Sequence, residues 1–370
     1  MQPSPRRTTT LVSPTERRHE SDLAETASAL VRHGKGILAA DETVATLTKR
    51  FDALQIASTP KSRRDYREML LTTPGVAEFI SGVILHDETI RQQSVSGPTL
   101  TALCRQLGII PGIKVDSGAK PLAGSSGEHI TEGLDGLRER LTEYRGFGAR
   151  FAKWRAVFVV TETLPSTACI DANASALARY AAMCQEQGIV PIVEPEVLMD
   201  GSHTIERTEE VTDAVLHAVF DALFVQGVRL EGMLLKPNMI VPGDDCDEQA
   251  DAKTVAAATL RVLRRNVPPA VPGVVFLSGG QRDVIATQNL DAMNRAGGPS
   301  PWKLSFSYGR ALQDAALATW LGRSENVQMA QRAFLHRSRC NHLAATADYS
   351  ELAEDQAEVV SAVSAKWRDD

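Results

Sequence analysis

Short apolar runs rich in β-branched residues alternate with longer segments of helical periodicity along most of this chain. Eight such runs begin near Gly36, Ile80, Ile109, Ala149, Ile189, Leu230, Val271 and Trp302. Between them, segments such as 175–187, 208–225 and 251–266 carry apolar residues at the spacing of helices. A strand followed by a helix, repeated along the chain, is typical of a parallel sheet.

The spacing of the runs favours a barrel over an open sheet. Consecutive runs begin about 38 residues apart, close to the length of one strand-and-helix unit of an eightfold β/α barrel. A doubly wound open sheet is the alternative. No GxGxxG follows the first run, so a dinucleotide site is not expected. We therefore predict the α/β class, with a single eightfold β/α barrel over residues 21–323.

The two ends of the chain depart from this pattern. Residues 1–20 are polar, contain three prolines and show no periodicity, so we expect a disordered lead-in. From about residue 322 the pattern becomes helical, with segments at 325–338 and 349–367. We expect residues 324–370 to form a helical appendage that packs on or near the barrel.

Composition and charge exclude several classes of protein. The 370 residues are 43% hydrophobic and 23% charged, which is ordinary for a globular protein. The net charge is -6, whereas a nucleic-acid binder would be basic. No apolar run is long enough for a membrane span. The five cysteines are widely spaced without CxxC or HExxH, so we expect no disulfide framework, no bound metal and a reducing, cytoplasmic compartment.

Charged residues cluster where the predicted strands end, which is where β/α barrels carry their reactive groups. Residues i and i+2 of a strand face the same side, so the charged neighbours within one strand share a side. The intervening Val115, Trp154 and Pro195 are then expected to face the helices. The charged residues are Asp41, Lys114, Asp116, Lys153, Arg155, Glu194, Glu196 and Lys236.

Lys236 ends an apolar strand and has two interpretations. It could be a charged strand end or one half of a buried ion pair with Glu194. It could instead be a nucleophile, because burial and a nearby ammonium such as Lys153 favour the neutral amine, which can form a Schiff base. Glu194 and Glu196 could likewise neutralise lysines or shuttle protons. Asp41 could cap its strand or act as a general base.

Two sets of residues are suited to binding anions. The first follows the seventh and eighth strands, where barrels commonly hold a phosphate, although a tight turn is the plainer explanation for paired glycines. It comprises Ser278, Gly279, Gly280, Ser307, Gly309 and Arg310. The second comprises Lys49, Arg50, Lys114 and Arg155. Two cationic sites flanking a reactive lysine indicate a substrate with an anion at each end.

Taken in order, the motifs of this chain resemble those of class I fructose-bisphosphate aldolases. The matching segments, from about Thr15 to about Arg323, are GILAADET, GVILHDET, GIKVDSG, PLAG, GLDGL, FAKWR, IVPIVEPEVL, LLKPNM, VPPAV, FLSGGQ and FSYGRALQ. The resemblance implies a glycolytic and gluconeogenic aldehyde-lyase on a β/α (TIM) barrel, without metal or other cofactor. Such an enzyme reversibly cleaves fructose 1,6-bisphosphate to dihydroxyacetone phosphate and glyceraldehyde 3-phosphate.

The resemblance also implies roles for particular residues. Lys236 in LLKPNM corresponds to the Schiff-base lysine. Glu194 in VEPE, with Glu196 beside it, corresponds to the carboxylate that handles protons in carbinolamine dehydration. Asp41 in LAADE corresponds to the partner of the C4 hydroxyl in C–C cleavage. Lys153 in FAKWR corresponds to the ammonium that keeps Lys236 reactive.

Two phosphate sites and an oligomer are implied in the same way. One phosphate site corresponds to Ser278, Gly279, Gly280, Ser307, Gly309 and Arg310. The other corresponds to Thr43, Thr46, Lys114 and Arg155, with Arg50 also near phosphate. Family analogy suggests a homotetramer, and neither a nucleic acid nor a membrane is an expected partner.

Two features depart from the family pattern. The loop after the first strand has Thr43 and Thr46 with Ala45 between them, where the family has Ser and Gly, so the hydroxyls are kept and a glycine is lost. The chain also lacks the terminal tyrosine of animal members, and Tyr349 is far from the end. We expect a helical tail and enamine protonation by other groups.

Two alternatives to a class I fructose-bisphosphate aldolase remain at this point. One is a Schiff-base lyase that acts on another sugar phosphate. The other is a non-catalytic scaffold with the aldolase fold. A scaffold could lose Lys236, Glu194 or Asp41, and this chain keeps all three.

Overall fold

Ten strands are present in the computed structural model, which describes residues 14–296 and 300–355. Eight of them form a parallel barrel, and β4 and β5 form a separate antiparallel hairpin. In chain order they are β1 (Gly36–Ala40), β2 (Ile80–Leu85), β3 (Ile110–Lys114), β4 (Ala119–Pro121), β5 (His129–Thr131), β6 (Phe151–Phe158), β7 (Val190–Val197), β8 (Leu234–Leu235), β9 (Gly273–Phe276) and β10 (Lys303–Tyr308).

The barrel is closed, because β1 pairs with both β2 and β10 in parallel. The order around it is β1-β10-β9-β8-β7-β6-β3-β2. This confirms the predicted eightfold barrel and excludes an open sheet. All eight predicted runs contain a barrel strand, although the sixth is shortened to two residues after a 3-10 turn at Leu230–Gly232.

Helices connect the strands and surround the barrel. They are α1 (Pro14–Leu30), α2 (Val44–Asp52), α3 (Pro60–Leu71), α4 (Asp87–Ile90), α5 (Leu100–Gln106), α6 (Leu137–Gly146), α7 (Thr167–Glu186), α8 (Ile205–Val225), α9 (Ala252–Asn266), α10 (Asp283–Arg295), α11 (Arg310–Trp320), α12 (Val327–Ala345) and α13 (Glu351–Asp355). Two helices begin before the periodic segments that predict them. Ser166 caps α7 and Thr204 caps α8, each accepting a backbone N–H with its side chain.

The first helix closes the end of the barrel where the strands begin. It starts at Pro14, inside the expected lead-in of residues 1–20, while residues 1–13 lie outside the described part of the chain. Leu23, Ala27 and Leu30 are buried on one face of α1 and pack with inward side chains of β1, β2, β6, β7, β8 and β9. The interior of the barrel is therefore a packed apolar core in the half where the strands begin.

Glycines on the strands make room for this core. A Cβ on Gly112 would lie 2.4 Å from the ring of Phe151, its cross-strand neighbour. A Cβ on Gly82 would lie 2.6 Å from Leu30, and one on Gly273 would lie 2.7 Å from Val31. Glycine inside a strand commonly marks such a close contact.

The C-terminal helices pack on the outside of the barrel. Helix α12 packs against α10 and α11 and is longer than the segment 325–338 that predicts it. The buried Arg337 of α12 pairs with Glu354 of α13, which also accepts a hydrogen bond from the Tyr349 hydroxyl at 2.7 Å. The predicted tail beyond residue 355 lies outside the described residues, and the division into lead-in, barrel and appendage remains a prediction. Within the described ranges, no helix is long and apolar enough to cross a membrane.

Substituting Gly112 tests the fit of the barrel core. Gly112→Ala should lower the free energy of unfolding by about 1–3 kcal/mol, because the new methyl group overlaps the Phe151 ring. Urea denaturation followed by circular dichroism measures this loss. Phe151→Leu should reduce the cost of Gly112→Ala, since a smaller side chain leaves room for the methyl group.

Gly146→Ala is the matched control. Gly146 is the last residue of α6, and a Cβ there meets no atom within 4 Å. The control variant should unfold at a urea concentration equal to or above that of the wild type. An equal loss of stability in both alanine variants would contradict the packing argument.

Candidate active site

Four charged side chains meet at the mouth of the barrel, the end formed by the carboxyl ends of the strands. The Nζ atom of Lys153 lies 2.7 Å from Asp41 Oδ2 and 3.1 Å from Glu194 Oε2. The Nζ atom of Lys236 lies 3.1 Å from Glu194 Oε1. The order Asp41, Lys153, Glu194, Lys236 alternates in sign, and we call it the ion-pair series.

The period of the strands explains why these groups share the mouth. Ile192 and Leu234 precede Glu194 and Lys236 by two residues and belong to the apolar core inside the barrel. The intervening Trp154 faces outward, as predicted, and its ring lies 5.5 Å from that of Tyr180 on α7. The charges therefore form a layer directly above an apolar one.

Burial makes the alternation of charges necessary. The side chains of Lys153, Glu194 and Lys236 are each 4% exposed, and that of Asp41 is 12% exposed. An unpaired charge at such a position costs several kcal/mol. The Oε2 atom of Glu194 is buried and, in the described part of the chain, receives no hydrogen bond besides its ion pair with Lys153.

The ion pairs shift the ionisation of the series. Burial alone would raise the pKa of Asp41, but the Lys153 ammonium, and after it Lys236, lower that pKa to about 2. Burial opposes the charge of Lys153, yet Asp41 and then Glu194 raise its pKa above the ordinary value. Burial alone would raise the pKa of Glu194, but Lys153 and then Lys236 outweigh it and lower that pKa below its ordinary value. Asp41 and Glu194 are thus carboxylates beside a permanent ammonium.

Two further pairs lie on the same strands. Arg155 Nε donates to a carboxylate oxygen of Glu196, which is buried while the arginine side chain is 43% exposed. Lys114 Nζ donates to the Asp116 carboxylate and, at 2.7 Å, to its backbone carbonyl. The charged residues that are two positions apart on one strand therefore all lie at the mouth, as predicted. Glu196, however, pairs with Arg155 and not with a lysine of the ion-pair series.

The loop after β9 lies against Arg310. Gly279 and Gly280 have φ angles of 61° and 102°, in the left-handed region that favours glycine. A Cβ on Gly280 would lie 3.6 Å from Arg310 Nη2, so the guanidinium borders the loop. Ser278 and Ser307 are buried at the ends of β9 and β10. The Ser307 hydroxyl has no hydrogen-bond partner among the residues that the structure describes.

The loop after β1 presents hydroxyls at a helix N-terminus. Thr43 caps α2, accepting a hydrogen bond from the Thr46 backbone N–H at 3.1 Å, and the two hydroxyls lie 2.9 Å apart. A capped helix start of this kind favours an anion. The glycine missing from this loop is not required for the cap, because Ala45, which stands at its position, lies in the first turn of α2 and has no positive φ.

Arg50 is engaged by two carboxylates that the sequence does not place near it. Its guanidinium pairs with Glu42 and, at 2.8 Å, with Asp314 Oδ1 on α11. It therefore lies against α11, the helix that begins at Arg310.

Two residues that support the end of β1 are missing from the sequence prediction. Arg67 of α3 donates to the Ala40 carbonyl at 3.1 Å, and Gln313 of α11 donates to the Ala39 carbonyl at 2.6 Å. Both side chains are buried polar groups on helices. Each stands among apolar residues of its helix, and that pattern is the signal by which the sequence could have indicated them.

Comparisons with known proteins all indicate one family. A family model described as fructose-bisphosphate aldolase class-I matches residues 22–367. A probable fructose-bisphosphate aldolase class 1 of Xylella fastidiosa is 55% identical over 87% of this chain and 97% of its own length. The cytosolic fructose-bisphosphate aldolase 4 of Arabidopsis thaliana is 50% identical over 89% of this chain and 84% of its own.

A solved structure agrees with the sequence matches. The fructose-bisphosphate aldolase of Plasmodium falciparum, crystallised with TRAP and a small-molecule inhibitor, has a TM-score of 0.88 and 49% identity. The match covers 90% of this chain and 96% of that one.

The low pKa of Asp41 predicts an acid-dependent loss of stability. A carboxyl with a folded pKa of about 2 and an ordinary value of 3.8 stabilises the fold above pH 3.8 and loses that contribution as pH falls towards 2. The stability difference between wild type and Asp41→Asn should therefore shrink by about 1 kcal/mol between about pH 6 and about pH 3. Urea denaturation at a series of pH values measures it.

Asp52→Asn is the control for this series. Asp52 is an exposed residue at the end of α2 and has no ion pair among the residues described. This variant removes a carboxylate without breaking an ion pair, so it measures the effect of the amide substitution alone over the same range. A constant difference for Asp41→Asn would contradict its pairing with Lys153.

Proposed function

This chain belongs to the class I fructose-bisphosphate aldolase family, and we propose that Lys236 is the residue on which its Schiff base forms. It is an aldehyde-lyase whose substrate is a sugar bisphosphate. The observation that supports Lys236 is its place in the ion-pair series, buried and 3.1 Å from a carboxylate.

Formation of the imine requires proton transfer next to the amine. Glu194 takes a proton from the Lys236 ammonium, and the resulting neutral amine attacks the C2 carbonyl of the open-chain sugar and gives a carbinolamine. Loss of its hydroxyl as water needs an acid, and attack by the amine needs a base. Glu194 Oε1 lies 3.1 Å from Lys236 Nζ, while its other oxygen is paired with Lys153, so we assign Glu194 both transfers.

Cleavage then uses the iminium as an electron sink. Asp41 takes the proton of the C4 hydroxyl, the C4 oxygen forms an aldehyde, and the C3–C4 bond breaks. Its electron pair passes to the iminium and gives an enamine. Glyceraldehyde 3-phosphate leaves, and the enamine is protonated at C3 and hydrolysed to dihydroxyacetone phosphate. A low pKa keeps Asp41 ionised for its role as base.

Lys153 stabilises both carboxylates in this scheme. It contacts Asp41 and Glu194 at the same time, and no other ammonium of the ion-pair series does so. Because its own pKa is raised, it stays positively charged while protons move around it. We assign Lys153 an electrostatic role and Glu196 the positioning of Arg155.

The two phosphates of the substrate fit two candidate sites on different loops around the mouth. Arg310, the glycine loop and the unpartnered Ser307 hydroxyl offer donors on one side. The start of α2 with Thr43 and Thr46 offers donors at the other candidate site, where Lys114 and the half-exposed Arg155 supply positive charge. Arg50 would join either site only by leaving Glu42 and Asp314.

We also propose a homo-oligomer, with a tetramer as the family analogy, and a cytoplasmic location. Phe224 and Val225, at the end of α8, are 81% and 78% exposed. Adjacent large apolar side chains exposed in this way commonly mark a protein–protein contact. A cytosolic relative from Arabidopsis thaliana supports the location.

Reduction of the imine tests the role of Lys236. Borohydride added with dihydroxyacetone phosphate should leave one stable adduct per chain, which peptide mass mapping places on Lys236. Lys236→Met should form no adduct and show no turnover. Lys236→Arg should behave in the same way while keeping a positive charge beside Glu194, which separates lost chemistry from lost folding.

Lys303→Met is the control for this labelling. Lys303 is exposed at the start of β10, the opposite end of the barrel from the mouth. This variant should label on Lys236 and turn over as the wild type does. An adduct on any other lysine, or none in the wild type, would contradict the assignment.

Removing Arg310 tests the phosphate site. Arg310→Ala should raise KM for fructose 1,6-bisphosphate by about 10- to 100-fold, because charge-assisted hydrogen bonds are each worth about 1.5–3 kcal/mol. Arg282→Ala, an exposed arginine just after the same loop, should change KM little. Equal effects of both variants on KM would indicate a general charge effect instead of a site. Steady-state kinetics with both variants decides between them.

A further inference from the structure

One group of side chains outside the mouth of the barrel brings together atoms that transition metals prefer. His336 and Cys340 lie one helical turn apart on α12, and Glu354 projects towards them from α13. An imidazole nitrogen, a thiol sulfur and a carboxylate oxygen lie within 4.8 Å of one another. The sequence alone predicts no metal, because it contains no CxxC or HExxH motif and no pair of histidines at metal-ligand spacing.

We propose that His336, Cys340 and Glu354 form a binding site for Zn²⁺, separate from the aldolase chemistry. The Cys340 Sγ and His336 Nε2 atoms are 3.5 Å apart, and His336 Nε2 and Glu354 Oε2 are 3.6 Å apart. A tetrahedral centre with Zn–S of about 2.3 Å and Zn–N of about 2.0 Å separates sulfur and nitrogen by about 3.5 Å. Both separations from the imidazole nitrogen are therefore close to the edges of such a tetrahedron, and all three ligand atoms lie within 4.8 Å of one another.

The kinds of ligand select the metal. A thiolate with an imidazole and a carboxylate suits zinc, whereas Mg²⁺ and Ca²⁺ prefer sites made of oxygen atoms. On binding, the Cys340 thiol gives its proton to bulk water and the thiolate coordinates the ion. The thiolate and the Glu354 carboxylate then face three positive charges, two of zinc and one of the Arg337 guanidinium that shares this carboxylate, so one positive charge remains. A water molecule or the Ala353 carbonyl, 3.7 Å from Cys340 Sγ, is available for the fourth position.

Neighbouring groups already orient the carboxylate. Glu354 Oε1 accepts hydrogen bonds from Arg337 Nη1 at 2.6 Å and from the Tyr349 hydroxyl at 2.7 Å. Outer contacts of this kind hold metal-binding carboxylates in place in other proteins. Arg337 Nη1 also contacts Oε2, and zinc would replace this second contact. Arg337 keeps its bond to Oε1 and its bond to Thr287 at 2.6 Å.

A metal here would join two elements that are separate in the chain. Two ligands come from α12 and the third from α13, so the ion would fix the C-terminal segment to the barrel. A cluster held only by hydrogen bonds is the alternative. That alternative predicts no dependence of stability on metal. The proposal does not depend on the roles assigned to the ion-pair series.

Zinc titration of the full-length chain tests the site. Protein dialysed against a chelator and then titrated with Zn²⁺ should bind one ion that Cys340→Ala and His336→Gln each remove. We expect either substitution to weaken the affinity by about 100-fold or more, since loss of outer contacts alone costs about 10- to 100-fold. Co²⁺ bound at the same site should show a sulfur-to-cobalt charge-transfer band that Cys340→Ala abolishes. Zinc should raise the Tm of the wild type and leave that of both variants unchanged.

Cys246→Ala is the matched control, since Cys246 is a half-buried cysteine in the loop before α9. It should keep the ion, the charge-transfer band and the rise in Tm. Aldolase turnover should persist in all three variants and in chelator, which shows that each variant is folded and that the site is not catalytic. If Cys340→Ala fails to fold, His336→Gln still shows whether zinc binding depends on these ligands. The proposal is overturned if the wild type binds no zinc, or if both ligand variants keep it.

Discussion

The contacts of the Lys153 ammonium with Asp41 and Glu194 are the constraint on which the mouth of the barrel depends. Strands β1 and β6 are not neighbours in the barrel, so Lys153 reaches across the opening to Asp41. Two buried carboxylates would repel each other without the cation between them, and burial of either alone would raise its pKa. Because Lys153 satisfies both, Glu194 can also face Lys236 at a distance that allows proton transfer. The barrel supplies the geometry, and the alternating charges make that geometry stable.

The parts of the fold that follow from local periodicity could be predicted from the sequence. Alternation along a strand places Glu194 and Glu196 on one side, and the apolar residues before them mark the strand, so both the barrel and the position of the site are predictable. The resemblance to a known family supplied the roles, which local physics left open. Trp154 facing α7 follows from the same alternation.

Contacts between distant segments could not be predicted in this way. The apolar face of α1 is visible in Leu23, Ala27 and Leu30, but its place at the barrel depends on glycines of β2 and β9, which leave room for Leu30 and for Val31 just after the helix. Arg50 belongs to a basic set in the sequence, yet two carboxylates neutralise it in the fold, and one of them is on α11. A set of like charges in a sequence therefore overstates the positive potential of a site whenever the fold brings acids to it.

The C-terminal helices extend this argument to the glycine loop. Helix α10 begins directly after the loop, and Arg337 of α12 donates to the Asp283 carbonyl and the Thr287 hydroxyl in its first turns. The Arg337 side chain is 4% exposed, so it requires the Glu354 carboxylate of α13 as its partner. Tyr349 hydrogen-bonds to the same carboxylate and is thus engaged on the outside of the barrel. The start of α10 is consequently held by the buried charge of Arg337, whose partner Glu354 lies far along the chain from α10. This contact connects the C-terminal helices to the glycine-loop side of the mouth.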